Sequence, residues 1–349
     1  MNQLQQLVKD QGLIKRSSLI GGVWLETKAD THAAASTFSV TNPFDGQLLT
    51  QVFDAVSVNE KNDVSQVHDA IAIAKTAQIE WAAKTAYERF DLLIRWFELV
   101  IEHKEDLAVI MTLEQGKPLS ESRAEIDYGA SYIKWFAEEG KRIYGETIPP
   151  LNRNQSIKVS KQPVGVVGLV TPWNFPSSML ARKIAPALAA GNSVVARPTE
   201  LTPLSALALG ELACRAGIPA GAINIIASKH SQLVGEALSM HNDIAKFSFT
   251  GSTRVGKLLM SQASSTLKKL SLELGGNAPF IVFEDADIDA AVAGAIKAKF
   301  RNSGQTCVCV NRILVAETIH DEFLNKLIAA TKQLTVGNGL TDSDIGPLI

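Results

Sequence analysis

The 349-residue chain reads as an α/β protein built on a doubly wound parallel sheet, and three observations lead there. Val164 to Val170 is a continuous apolar, largely β-branched run of the kind found in strands buried on both faces. From residue 163 to residue 272 such runs alternate with helix-period patterns, five strands with four helices between them, which is the order that builds a parallel sheet. Hydrophobic residues make up 46% and charged residues 20% of the chain, a composition ordinary for a globular α/β protein and too apolar for a disordered one.

Each element has its own signal. Apolar residues recur at helical spacing at Val64, Val67, Ile71, Ala74 and Trp81, and again at Phe90, Leu93, Ile94, Phe97 and Ile101. Residues 1–143 are therefore expected to be mainly a helical layer. Gly116 and Pro118 in EQGKP end one helix, and Ser120 is placed to cap the next, which runs towards Gly140. Residues 144–162 turn polar and extended around Pro149 and Pro150, as a bridging hairpin would. After strand 164–170 come helix 177–190, stopped by Gly191, and strand 193–196. A helix opened by Thr202 and Pro203 and closed by Gly217 leads to strand 222–226, helix 231–240, strand 246–249, helix 253–263 and strand 267–272. Residues 163–271 thus form a Rossmann-like core, whose ligands bind at the carboxyl ends of the strands. From 272 to 349 a second α/β domain begins, with strands at 279–283 and 313–315 and helices at 287–300 and 319–333. It is expected to be incomplete, since so few elements cannot close an independent core.

Several function classes are disfavoured. The net charge is −2, from 34 basic and 36 acidic residues with no long run of either, so a nucleic-acid surface is not expected. No apolar stretch approaches the length of a membrane span, and MNQLQQLVKDQG has no secretory pattern, so the expected address is cytoplasmic. Three cysteines, Cys214, Cys307 and Cys309, cannot all pair, which fits a reducing compartment. None of the six histidines (32, 68, 103, 230, 241 and 320) stands at ligand spacing, so no metal is expected.

The unusual residues gather in four loops after the strands. TPWNFP, Thr171 to Pro176, holds Asn174 in a proline-stiffened loop near a helix start, either as a donor to a developing oxyanion or as an Asx-turn residue. RPTE places Arg197 and Glu200 where such sheets read an adenosine ribose. Glu200 would repel a 2′-phosphate and favour NAD, while Arg197 could pair with one; the alternative is an ion pair between the two. FTGSTRVGK puts Gly251 and Ser252 at a helix N-terminus suited to a pyrophosphate. Leu258 follows the lysine where a Walker motif needs Ser or Thr, which disfavours an ATPase. ELGGNAP places Glu273 at the end of an apolar strand, where a partly desolvated carboxylate suits general-base duty. In NSGQTCVC, Cys307 lies in a polar turn as a candidate nucleophile, with a small buried hydrophobe as the alternative reading, the one that suits Cys309.

With these motifs in order, LEQGKPL, TPWNFP, RPTE, FTGSTRVGK, ELGGNAP and GQTC, the chain resembles the aldehyde dehydrogenase superfamily. FRNSGQTCVCVNR and SSMLARKIAPALAAGN are most similar to its succinate-semialdehyde and glutarate-semialdehyde members. The resemblance implies oxidation of such a semialdehyde through a cysteine thiohemiacetal and thioester. Cys307 would be the nucleophile, Asn174 the oxyanion donor and Glu273 the base that activates water. It further implies an NAD or NADP site formed by Thr171, Pro172, Trp173, Arg197, Glu200, Gly251 and Ser252. Arg182 and Arg301 fall on the positions that bind the substrate's distal carboxylate, and the relatives are homo-oligomers. Two departures stand out. Arginine replaces the usual lysine at 197, and relatives continue past the DIGPLI segment into an E-x-F-G-P motif that grips the nicotinamide ribose, so the chain is expected to be C-terminally truncated. Two other readings are a CoA-acylating aldehyde dehydrogenase, and an inactive remnant that only binds nucleotide or partners.

Overall fold

The computed structural model describes residues 3–25, 36–58 and 62–349, and His32 lies outside them. A short helix α1 (Gln3–Leu7) precedes a hairpin of β1 (Leu19–Ile20) and β2 (Val23–Trp24). Gly21 and Gly22 turn it at φ +61° and +78°, values that suit glycine. β3 (Thr37–Thr41) and β4 (Leu48–Phe53) pair antiparallel as a second hairpin. Four helices follow, α2 (Ser65–Ala83), α3 (Ala86–Glu102), α4 (Lys104–Gln115) and α5 (Leu119–Gly140). Val67, Ile71, Ala74, Trp81 and Leu93, all from the helical pattern, are buried. Among the described residues, the expected helical layer therefore also carries four strands. Two of them are only two residues long, too short for alternation to register, although Gly21-Gly22 between apolar residues is itself a hairpin signal.

After an exposed antiparallel hairpin, β5 (Glu146–Ile148) and β6 (Ile157–Val159), the central alternation appears. It consists of β7 (Val166–Val170), α6 (Ser178–Ala189), β8 (Ser193–Arg197), α7 (Pro203–Arg215), β9 (Ile223–Ile225), α8 (Ser231–Met240), β10 (Ile244–Gly251), α9 (Thr253–Ala263) and β11 (Lys269–Leu274). The sheet runs β11-β10-β7-β8-β9-β1-β2. Its first five strands are parallel, and the β1–β2 hairpin closes the far edge, β1 antiparallel to β9 through Leu19 opposite Ile225.

Successive residues of the buried strands serve opposite faces, as a pleat requires. Val167, Leu169, Val194 and Ala196 pack with α3 to α7, while Val166, Val170 and Val195 pack with α2, α8 and α9. The remaining elements are β12 (Ala278–Val282), α10 (Ile288–Phe300), β13 (Val310–Val315) and α11 (His320–Gln333). β12 and β13 form a separate parallel pair over a small core of Val282, Val292, Ala295 and Phe323.

Candidate active site

The loops after β7, β10 and β11 meet the segment between α10 and β13. Together they line a cleft of about 560 Å³ that brings Trp173, Asn174, Gly251, Ser252, Glu273 and Cys307 into one place. Cys307 is exposed. α10 ends at Phe300, and the chain then reverses through three consecutive residues at positive φ, Asn302 (53°), Ser303 (57°) and Gly304 (74°). Cys309 is buried, its thiol donating to the Lys299 carbonyl at 3.1 Å. The Asn174 side-chain amide donates to the Gln305 carbonyl at 2.9 Å, tying the β7 loop to the cysteine loop. An amide nitrogen has two N–H groups, so one remains for a ligand.

Glu273 departs from the sequence expectation. Its side chain is 61% exposed, and an Arg182 guanidinium nitrogen stands 3.3 Å from its Oε2. β11 is the edge strand of the sheet, and Lys269, Ser271 and Glu273 occupy its exposed positions. The carboxylate is thus ion-paired and solvated rather than desolvated. Arg182 lines a neighbouring cleft of about 520 Å³ with Tyr132, Lys183, Lys246, Ser248 and Glu273. Lys183 had no signal in the sequence. It is buried and donates to Ser248 Oγ at 2.8 Å, and burial, with Arg182 beside it, pushes its ammonium down to about 8. Arg301 lines neither cleft; its guanidinium stands 4.9 Å from the centre of the Phe175 ring.

A third cleft, of about 460 Å³, opens at the carboxyl ends of β7, β8 and β10, lined by Thr171, Pro172, Trp173, Arg197, Gly251 and the first turn of α9. A Cβ at Gly251 would come within 2.4 Å of the Phe249 ring, so only glycine fits here without a shift. Ser252 caps α9, its Oγ accepting from the Val255 N–H at 3.3 Å. Three buried polar atoms of the lining, Thr171 Oγ1, Thr250 Oγ1 and Arg197 Nε, have no protein partner. Buried polar groups seek hydrogen bonds, so this wall suits a polar ligand with hydroxyl or phosphate oxygens. Glu200 is engaged by Arg197 at 2.5 Å, while the buried Arg197 also donates to the Ser228 carbonyl at 3.1 Å. Of the two sequence readings of RPTE, the ion pair is the arrangement present. Among the described residues no group of His, Cys, Asp or Glu could hold a metal ion, and no helix is long and apolar enough to cross a membrane.

The parallel sheet and the polar cleft at its carboxyl edge define a nucleotide-binding α/β protein. The chain belongs to the aldehyde dehydrogenase family, whose model matches residues 30–349. It is 51% identical over 343 residues to the mitochondrial succinate-semialdehyde dehydrogenase of rice, Oryza sativa subsp. japonica, covering 98% of this chain and 63% of that protein. It is 50% identical to the glutarate-semialdehyde dehydrogenase of Pseudomonas putida, covering 98% of this chain and 69% of that one. The crystal structure of an NADP-dependent enzyme of E. coli superposes with a TM-score of 0.92 at 49% identity, over 98% of this chain and 69% of that chain. The chain thus spans about two thirds of the length of these relatives.

Proposed function

We propose that the protein oxidises succinate semialdehyde, or glutarate semialdehyde, to the dicarboxylate with NAD or NADP. The observation that carries this reading is the shared cleft of Cys307, Asn174 and Glu273, reached from the same β7 and β10 loops that line the nucleotide cleft. Cys307 Sγ adds to the aldehyde carbon. The free N–H of Asn174 and the Cys307 backbone N–H bind the oxygen as charge develops on it. Thr171, Pro172, Trp173, Arg197, Gly251 and Ser252 would hold a nicotinamide dinucleotide, which when bound would accept the hydride leaving that carbon and so leave the substrate on Cys307 as a thioester. Glu273 then takes a proton from water as that water attacks the thioester, releasing the acid and the thiol. A hydrolytic base in the cysteine cleft favours this over CoA acylation and over an inactive remnant.

The finer assignments are part of the same proposal. Arg182 and Arg301 receive the substrate's distal carboxylate, a role supported by the succinate and glutarate semialdehydes in the relatives' names. Glu200 favours NAD by its charge at the ribose end. The division of labour is an N-terminal helical layer over 1–143, an oligomerisation hairpin over 144–162, a cofactor core over 163–271 and a catalytic domain from 272, in a homo-oligomer. Nucleic acid and membrane are not partners. A reducing, cytoplasmic setting is supported by three free cysteines.

The test is production of reduced nicotinamide from succinate semialdehyde by the purified protein. Cys307→Ala abolishes it and Cys309→Ala retains it. Glu273→Gln gives one equivalent of reduced cofactor per active site and then stalls. Full steady turnover in Cys307→Ala or in Glu273→Gln overturns the corresponding role.

A further inference from the structure

LEQGKPL has no part in the chemistry above, yet its lysine is buried beside the site. Lys117 precedes α5, and its ammonium is fully enclosed. Nζ has two hydrogen bonds and an aromatic face beside it. One meets Glu125 Oε2 at 2.5 Å, one meets the Asn174 backbone carbonyl at 2.7 Å, and Nζ stands 4.1 Å from the centre of the Phe175 ring. The other Glu125 oxygen accepts the backbone N–H groups of Ser177 and Ser178 at 3.0 and 3.1 Å, at the start of α6. One turn earlier on α5, the Glu121 carboxylate accepts the Asn302 backbone N–H at 2.9 and 3.1 Å. The fully buried Asn302 side chain donates to the Asn174 carbonyl at 3.1 Å and to the Gln305 carbonyl at 3.3 Å. The Asn174 carbonyl is therefore held from both sides, by Lys117 and by the cysteine loop, while its side-chain amide bonds that same loop.

A buried ion pair adds little net stability over apolar residues of equal volume, so the charge is better explained by the geometry it enforces. We infer that Lys117 is a positioning residue for the oxyanion site, its ammonium fixing the Asn174 backbone so that the side-chain amide faces the carbon attacked by Cys307. The inference rests on the thiol role proposed for Cys307 and on Asn174 as donor, and it extends both to a residue that touches neither substrate nor cofactor.

The test separates two reactions of the same sulfur. p-Nitrophenyl acetate acylates it: the S–C bond forms, an oxyanion develops, and the C–O bond breaks to release nitrophenolate. Iodoacetamide alkylates it by displacing iodide, with no oxyanion. Lys117→Met alone leaves Glu125 as an unpaired buried charge and endangers folding. The Lys117→Met/Glu125→Gln pair removes both charges and keeps the Oε1 acceptor for α6. In this pair we expect acylation of Cys307 to fall about 10- to 100-fold and alkylation to stay within about twofold. In an Asn174→Ala background the pair should add no further loss, because it acts through Asn174. Equal falls in both rates, an additive loss in that background, or a wild-type Cys307 that the ester does not acylate overturns the inference. Neither reagent needs a dinucleotide or a semialdehyde. A protein that shows this pattern but produces no reduced nicotinamide defeats the proposed oxidation alone.

Discussion

Glu273 and Arg182 are ion-paired at 3.3 Å, so any anion that binds Arg182 competes with the carboxylate assigned to water activation. A substrate bearing its own distal carboxylate would draw Arg182 away and release Glu273 for its proton. Arg182→Ala and Arg301→Ala should each raise KM for succinate semialdehyde at least tenfold more than for butanal, which has the same chain length without the charge; about 1.4 kcal/mol of differential binding is enough. Equal changes for the two aldehydes exclude the carboxylate role. At this scale the sequence was informative about residue type and loop placement. Asn174 and Gly251 stand at a cleft because they lie at the carboxyl ends of β7 and β10, and strand ends can be read from the pattern; Cys307 reaches the same cleft from the turn after α10. Burial could not be read. Glu273 lies near the end of β11 and is exposed because that strand is at the edge, whereas Lys117 sits in a polar motif and is enclosed.

The starts of α6 and α7 show why elements are more legible than what secures them. Thr202 opens α7 where the pattern places it, yet its side chain makes no capping bond, and neither does Ser177 before α6. The caps come from other helices. Glu125 of α5 serves α6, and the buried Glu114 of α4 accepts the Leu204 and Ser205 N–H groups of α7 at 2.8 Å each. Glu114 lies some ninety residues from its helix, a separation no local motif can announce. Burial pushes its carboxyl up to about 8, against the pull of those N–H groups. A folded-state pKa above the unfolded one means that the native protein holds a proton which the unfolded chain has released. This contribution to stability is complete below about pH 4.5 and is lost as pH rises through about 8. Glu114→Gln removes the titration, so its urea midpoint should fall less between pH 5 and pH 8 than that of the wild type. Parallel falls in the two proteins rule out Glu114 as the source.

Across the whole molecule, apolar packing is uneven. The central strands β7 and β8 are covered on both faces by helices, whereas β12, β13, α10 and α11 share a satellite core of four buried side chains. Amide protection follows such differences, since small cores open at lower free energy. Hydrogen exchange should therefore be at least about tenfold faster in β12 and β13 than in β7 and β8; matched protection in the two sets contradicts this layout. The five-strand alternation was legible because each strand is long enough and apolar enough to register. The β1–β2 edge was not, because a two-residue strand has no period and its partner β9 is remote in sequence.

That remote pairing also has a temporal side. Leu19 meets Ile225, so β1 cannot dock until more than two hundred further residues exist. At a synthesis rate of about 5–20 residues per second, the segment around Leu19 waits on the order of 10–40 s outside the ribosome before its place on the sheet is made. During that interval the segment keeps open strand edges, and the sheet of the nascent protein is completed on that side by residues made some two hundred positions earlier than their partner.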